Sequence, residues 1–244
     1  IGIIVSAVSI LPNLGVGGMQ LFKLEGSESS EKLMPRTASL ATEIIILYFI
    51  LSSVCALMYW FCGLSFFDST IHAMTTIATG GFSSNSESIG GFNSHSLEYV
   101  CIAFMILSSL PFVLYLKTIR GKPRALFVDE QVTGFFKTLL LSFLLIMVFL
   151  SFNDNFDFSS TLRNVLFNVT SILTGTGYTT SSYDDWGTPA IIIFLAITFI
   201  GGCAGSTTCG IKVFRLQVLL KNSGQVMNKL ISPNRVTKHK YNGE

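Results

Sequence analysis

Charge is what this chain has least of. Of its 244 residues only 12% are Asp, Glu, Lys or Arg, where a soluble domain carries about 25%. Half of the residues are apolar, 21 are Phe, and the mean hydropathy is +0.58. That balance excludes an ordinary soluble globular domain and points to a polytopic, all-α membrane protein. Histidine is scarce too: three, far apart, which argues against a metal cluster. The five cysteines (Cys55, Cys62, Cys101, Cys203, Cys209) have no metal-site spacing and read as small buried apolar residues. No span holds a nucleophile–base pair or a metal-ligand set, so an intramembrane enzyme is the weakest reading. No signal peptide is visible, and the sequence does not open on Met. The opening IGIIVSAVSIL reads as the second half of a helix already under way.

What is present is apolar length, broken at regular places. Residues 40–62, 97–116 and 133–152 read as full spans. A fourth starts over 189–200, breaks, and resumes after Gly210 towards Leu220. Two further apolar segments, Phe66–Ala78 and Ser160–Leu173, are too short to cross a bilayer and read as re-entrant helices. Their expected starts are Asp68-Ser69-Thr70 and Ser159-Ser160-Thr161. Each runs into a Gly-rich, hydroxyl-rich loop: TTIATGGFS over 75–83 and SILTGTGYT over 171–179. Gly81 and Gly177 match at a spacing of 96 residues, and both repeats run in the same orientation.

The basic residues orient this pattern. Fifteen of the 16 Lys and Arg fall in 20–40, 117–137 and 211–244; only Arg163 does not. The positive-inside rule puts those segments in the cytoplasm and the Gly-rich loops outside, beside Asp68, Glu87, Glu98, Asp154, Asp157, Asp184 and Asp185.

Irregular backbone at membrane depth survives only where protein or water surrounds it. Here it is nearly uncharged and rich in Gly, which reaches left-handed dihedrals freely, so successive carbonyls can point one way. Carbonyl rings of that kind replace the hydration shell of potassium. The short helix in front aims its partly negative C-terminus at a cation. Without charged side chains the loops do not suit a carboxylate-ring filter.

TIATGGFS with SIGGFNS after it, TGTGYTT followed by an acidic loop and Trp186, ILPNLGVGGMQLFK, and FIGGCAGSTTCGIKVFR together resemble the Trk/Ktr/HKT superfamily of potassium transporters, closest to its bacterial Trk-type membrane subunits. The likeness covers nearly the whole chain. It implies four helix–pore-helix–helix repeats around one pore, of which this chain holds the second and third. Residues 1–39 would end the preceding repeat and form a cytoplasmic loop; 40–117 and 133–220 would be pore repeats, joined by a cytoplasmic linker over 118–132; 221–244 would be a basic cytoplasmic segment. The carbonyls of Thr79, Gly80 and Gly81 and of Gly175, Thr176 and Gly177 would coordinate potassium, with Ala78 and Thr174 adding a layer and Phe82 and Tyr178 wedging the loops from behind. In GGCAGSTTCG the residues Gly201, Gly202, Gly205, Ser206, Thr207 and Gly210 would form an intramembrane gating loop below the filter. The family run is richer in Gly where this chain has Thr208-Cys209. Potassium is cargo, and no cofactor is implied. The implied partners are the membrane, a nucleotide-binding cytoplasmic regulatory subunit of the Trk type and, at full length, a second copy in a homodimer. The implied location is the bacterial inner membrane.

Other readings are weaker. The 201–210 break also fits a helix kinked for packing. Gly205 and Gly210 have phosphate-loop spacing, but Ile211 stands where the Lys belongs. The basic tail 212–240 has one Phe, with one Tyr just beyond it at 241, too few aromatics for nucleic-acid stacking, and fits lipid headgroups or a subunit. A carrier would use inverted repeats. A non-conducting fragment or scaffold and a sodium-permeable transporter stay open.

The charge bias sets a test of topology. Lys122 and Lys238 should be cytoplasmic and Asn85 and Asp184 external. With single Cys residues at these positions, on a background lacking the native ones, an impermeant thiol reagent should label positions 85 and 184 in intact spheroplasts. Labelling at 122 or 238 instead would invert the orientation.

Overall fold

The computed structural model describes residues 37–152, 157–183 and 186–231. The expectations for residues 1–36, for Asp154, Asp184 and Asp185, and for residues 232–244 lie outside the described residues. The described chain is helical. α1 (Thr37–Phe61) is apolar on all sides, as suits a helix surrounded by lipid and protein. It stops at Gly63, where φ is +100°, with Leu64 N–H donating to the Tyr59 carbonyl at 3.3 Å and Gly63 N–H to that of Trp60 at 3.0 Å. That pair of bonds is a Schellman cap, whose left-handed position favours Gly.

α2 (Phe66–Ile77) is the first short helix. Its N-cap is Ser65, not the expected Asp68-Ser69-Thr70 run: the Ser65 hydroxyl accepts the Asp68 N–H. A single 3₁₀ turn over Gly90–Phe92 follows, in SIGGFNS, and seats on the other repeat: Gly90 N–H donates to the Thr179 carbonyl at 3.1 Å. α3 (His95–Ser108) and α4 (Phe112–Ile119) then form the expected 97–116 span, but it is not one helix. The two halves meet at 91°. Pro111 has no N–H to donate and disfavours helical dihedrals in the residue before it, so the turn cannot continue. The Ser108 and Ser109 hydroxyls both bond the Met105 carbonyl, a pattern that bends helices further.

α5 (Arg124–Val128) makes part of the 118–132 linker helical. α6 (Glu130–Leu150) is capped by Asp129, whose carboxylate accepts from Gln131 N–H. α7 (Phe158–Leu173) is the second short helix, capped by Asp157 rather than by the Ser159–Thr161 run. Hydrogen bonds from Ser160 hold the Asp157 carboxyl below its ordinary pKa. α8 (Thr188–Thr198) ends before the 201–210 break, and α9 (Val213–Ile231) resumes after it, well past the expected Leu220. Among the described residues α1 (over Thr42–Phe61) and α6 are long and apolar enough to cross a membrane, with α3 and α4 a third if the bent pair counts as one span.

The two repeats share their cores. The first core gathers Cys55, Tyr59, Ala73, Ile77, Cys101 and Met105, and takes in Phe167 and Tyr178 from the second repeat. The second gathers Phe135, Ile146, Val165, Leu173 and Phe194, and takes in Leu110 and Leu114 from the first. Cys55, Cys101 and Cys203 are buried as expected; Cys209 is exposed and Cys62 partly so.

An ion pair crosses the same junction. Arg163 Nε on α7 lies 2.7 Å from Glu98 Oε2 on α3, with both side chains largely buried. The N–H does not point at the oxygen, so the contact is Coulombic rather than a directed hydrogen bond. Arg163, the one Lys or Arg outside the three basic segments of the sequence, is thus neutralised by the neighbouring repeat. Removing one partner of a buried pair leaves the other charge uncompensated, at a cost of about 3 kcal/mol. Glu98→Gln should lower the unfolding midpoint in detergent, and Glu98→Leu with Arg163→Met should recover most of the loss. Equal midpoints for Glu98→Gln and wild type would show that the pair does not hold the repeats together.

Candidate functional site

The two Gly-rich loops are the same structure built twice. α2 and α7 end at Ala78 and Thr174, whose dihedrals are nearly equal (φ −75°, ψ −6° and φ −78°, ψ −11°). Ala78 N–H donates to the Met74 carbonyl at 3.0 Å, and Thr174 N–H to that of Thr170 at 2.9 Å. Thr79 and Gly175 donate to Thr76 and Ile172 at 3.1 and 3.0 Å. Gly80 and Thr176 reach back to Thr75 and Ser171 at 2.7 and 2.9 Å. These are again the bonds of a Schellman cap, and they require a left-handed residue at position 79 or 175. Left-handed dihedrals then alternate: Thr79 (φ +50°) and Gly81 (+67°) in one loop, Gly175 (+69°) and Gly177 (+85°) in the other. Alternation of this kind allows successive carbonyls to face one side. Thr79 carries a β-branched side chain in that region, a strain of about 1–3 kcal/mol that its surroundings must hold.

The loops touch each other unequally. A Cβ on Gly81 would stand 1.9 Å from the Thr176 carbonyl oxygen, an impossible approach, whereas one on Gly177 would meet nothing within 4 Å. The aromatic residues also differ. Tyr178 is 1% exposed and crosses into the first repeat, where its hydroxyl pairs with Thr75 Oγ1 and donates to the His72 carbonyl at 3.2 Å. Phe82, expected to wedge its loop in the same way, is 75% exposed. No described residue forms a slot for its ring, and it has no hydroxyl to fix it.

His72 is a site residue that sequence reasoning missed. It is fully buried, and Nδ1 lies 2.7 Å from the Asp68 carbonyl. A carbonyl only accepts, so Nδ1 carries a proton, and Nε2 pairs with the Ser83 hydroxyl at 2.9 Å. Ser83 in turn accepts the Asn85 N–H, which fixes the outer lip of the loop. At the helix start, Ser84 and Ser65 donate to the Asp68 carboxylate and hold its pKa below the ordinary value. The signal available was His72 in an apolar helix, three residues before the loop sequence begins.

Residues 201–210 are not helical. Their ends are clamped as a parallel bridge between Ile200 and Ile211, with Gly201 N–H donating to the Ile211 carbonyl at 2.9 Å. Gly201 is needed there, since a Cβ would meet the Cys209 carbonyl oxygen at 2.0 Å. Inside the loop, Thr208 Oγ1 accepts the Gly202 N–H at 3.0 Å and pairs with Ser206 Oγ at 2.8 Å. Outside, the loop docks into the α3–α4 bend. Thr207 N–H and Oγ1 donate to the Ser108 carbonyl at 3.3 and 3.0 Å, Cys203 N–H donates to that of Ser109 at 3.1 Å, and Phe112 N–H donates to the Gly205 carbonyl at 3.0 Å. From α6, Gln131 Oε1 accepts the Ala204 N–H at 3.0 Å. The preceding residue, Glu130, meets α9 through Lys221 at 2.6 Å and through Gln217 at 2.8 Å. The loop also underlies both Gly-rich loops: Thr79 Oγ1 donates to the Thr207 carbonyl at 2.9 Å, and a Cβ on Gly175 would sit 3.5 Å from the Cys209 Cβ.

Paired short helices, matched Gly-rich loops and a buried loop between α8 and α9 define a helical membrane protein built from tandem pore-loop repeats. The chain belongs to the TrkH family of cation transport proteins, whose model matches residues 1–244. It is 40% identical along its whole length to the Trk system potassium uptake protein TrkI of Halomonas elongata. It is 36% identical over 239 residues to the Trk system potassium uptake protein TrkH of Escherichia coli. Its fold matches the crystal structure of the potassium transporter TrkH from Vibrio parahaemolyticus with a TM-score of 0.83 at 32% identity, over 99% of this chain. The chain spans about half the length of each of these relatives.

Tyr178 offers a direct test of how the repeats are joined. Tyr178→Phe keeps the ring but strands the hydroxyl's partners, at an expected cost of about 1–2 kcal/mol. Thermal unfolding of Tyr178→Phe, Thr75→Val and the double variant should show non-additive losses. Strict additivity would mean that the two hydroxyls do not interact.

Proposed function

We propose that this chain contributes two of the pore loops of a potassium uptake protein of the bacterial inner membrane, a transporter and not an enzyme. The observation that carries the reading is the matched alternation of left-handed dihedrals at Thr79 and Gly81 and at Gly175 and Gly177. The carbonyls of Thr79, Gly80, Gly81, Gly175, Thr176 and Gly177 coordinate the ion, and those of Ala78 and Thr174 add a layer at the helix ends. The names of the relatives support potassium as the cargo. Residues 40–117 and 133–220 act as the pore repeats, 118–132 as their cytoplasmic linker, and 221–244 as a cytoplasmic segment. The 201–210 loop touches both carbonyl loops, through Thr207 and Cys209, and this contact supports its role as the gate. A nucleotide-binding cytoplasmic subunit regulates it through the segments around α9, and the protein works as a homodimer.

The test is potassium uptake by a deficient host carrying the complete open reading frame that encodes this chain. Gly81→Ser and Gly177→Ser should each lower potassium uptake relative to sodium, because a side chain at either left-handed position turns carbonyls away from the ion. Gly81→Ser should be the more severe, by about tenfold or 1.4 kcal/mol, since only there does the Cβ collide with the other loop. Unchanged ion ratios in both variants at normal expression would remove the filter assignment.

A further inference from the structure

We propose that the Thr79 side chain is a positioning residue that ties the carbonyl loop to the intramembrane loop, so that ion selectivity depends on where the 201–210 loop sits. This rests on the pore reading above and adds a coupling to it. Thr79 occupies the left-handed position that its repeat partner fills with Gly175. A β-branched residue is a poor choice there unless its side chain has a task. Its hydroxyl is buried and has two acceptors, the Thr207 carbonyl at 2.9 Å and the Ala78 carbonyl at 2.8 Å. One proton serves both. With the loop seated, Thr207 draws that proton and Ala78 keeps more of its carbonyl free for an ion. Withdrawal of the loop would leave the proton to Ala78 alone and would remove the one side-chain contact to the loop that helps the Schellman bonds hold Thr79 in its strained conformation.

The second repeat reports the same arrangement without a hydroxyl. Gly175 lies against Cys209, with 3.6 Å between its Cβ position and the Cys209 nitrogen. Residues 207–209 therefore form the floor under the same position of both loops. Thr207 is itself anchored on the Ser108 carbonyl by its N–H and its hydroxyl. Thr79, Thr207 and Ser108 thus form a chain of hydrogen bonds from the carbonyl loop, through the intramembrane loop, to the bend between α3 and α4.

Cys209 supplies a readout that does not depend on transport, because its thiol is exposed and sits in the loop. The experiment uses the protein from its complete reading frame, with every native cysteine except Cys209 replaced. The rate of Cys209 modification by a small charged thiol reagent is measured alongside potassium and sodium uptake. Thr79→Val keeps the branched shape but donates nothing. It should speed Cys209 modification by about threefold to tenfold, the range expected for one lost hydrogen bond, and should lower the potassium-to-sodium ratio. Thr79→Ser keeps the donor and should hold Cys209 modification near the wild-type rate. Thr79→Gly loses the donor and the strain together, so it should release Cys209 while retaining more selectivity than Thr79→Val; it also serves if the Val variant does not reach the membrane. Modification rates for Thr79→Val and Thr79→Gly equal to wild type, in a protein that transports potassium selectively, would overturn the coupling and leave the pore reading intact. A wild-type protein that takes up no potassium would instead overturn the pore reading, while the modification rates would still decide whether Thr79 holds the loop.

Discussion

A helix that breaks inside a membrane must find partners for the backbone groups it frees, because lipid offers none. This chain breaks twice, between α3 and α4 and between α8 and α9, and sets each break against the other. Pro111 ends α3 and leaves the Ser108 and Ser109 carbonyls without helical donors. The 201–210 loop, itself without helical bonds, donates from Thr207 and Cys203 to those carbonyls and takes the Phe112 N–H on its Gly205 carbonyl. Neither break would be tolerable alone. Together they fix where the loop lies, and that place is against both Gly-rich loops. Small residues make the fit possible: a Cβ on Gly202 would be 3.1 Å from the Ser109 carbonyl oxygen and 2.7 Å from Thr208 Oγ1.

The same docking explains why the repeats cannot be treated as separate domains. Leu110 and Leu114 enter the second core because the 91° bend turns α4 towards it. Tyr178 and Phe167 enter the first core in exchange. The Arg163–Glu98 pair and the seat of the Gly90–Phe92 turn on Thr179 close the junction at the loop end. A shift of one carbonyl loop therefore has to be taken up by the other, most directly where Gly81 lies against the Thr176 carbonyl.

Much of this was legible in the sequence, because the repeat is written in residue types that have little freedom. Gly81 and Gly177 mark left-handed turns, and the apolar segments before them are too short to span, so the short-helix-and-loop unit could be read directly. The break at 201–210 was legible for the same reason, since four glycines in ten residues do not favour helix. What escaped depended on partners far along the chain. Apolarity continues through 97–116, so composition reads it as one span, although Ser108-Ser109 before Pro111 was the available sign of a bend. Ser65 and Asp157 cap the short helices from outside the apolar runs, and the hydroxyl-rich residues just inside drew the expected boundaries inwards. Phe82 and Tyr178 look equivalent in their motifs. Only the three-dimensional neighbourhood separates them, since Tyr178 has a buried slot and acceptors for its hydroxyl. The alternation of dihedrals depends on the Schellman bonds, which set Thr79 against its own steric preference and could not be read from a threonine.

The hydrogen bonds of the 201–210 loop fall into two groups, and the division bears on how it can move. One group is internal: Ile200 with Ile211, Gly202 with Thr208, Ser206 with Cys203 and Thr208, and the Lys212 ammonium with Thr208. These bonds hold the loop's shape. The other group is external, to Thr79, Ser108, Ser109, Phe112 and Gln131, and holds its place. Thr208 belongs wholly to the first group, and its hydroxyl closes the loop on itself. A loop braced in this way keeps its fold when its external bonds break, so displacement as a unit requires less than unwinding. The lever for such a displacement is short. Gln131 touches the loop, the adjacent Glu130 touches α9 through Gln217 and Lys221, and Gly134 one turn on lets α9 approach so closely that a Cβ there would meet Gln217 Nε2 at 2.1 Å. A force on α9 thus reaches the loop through the first turn of α6, and Thr79 stands at the other end of the same set of bonds.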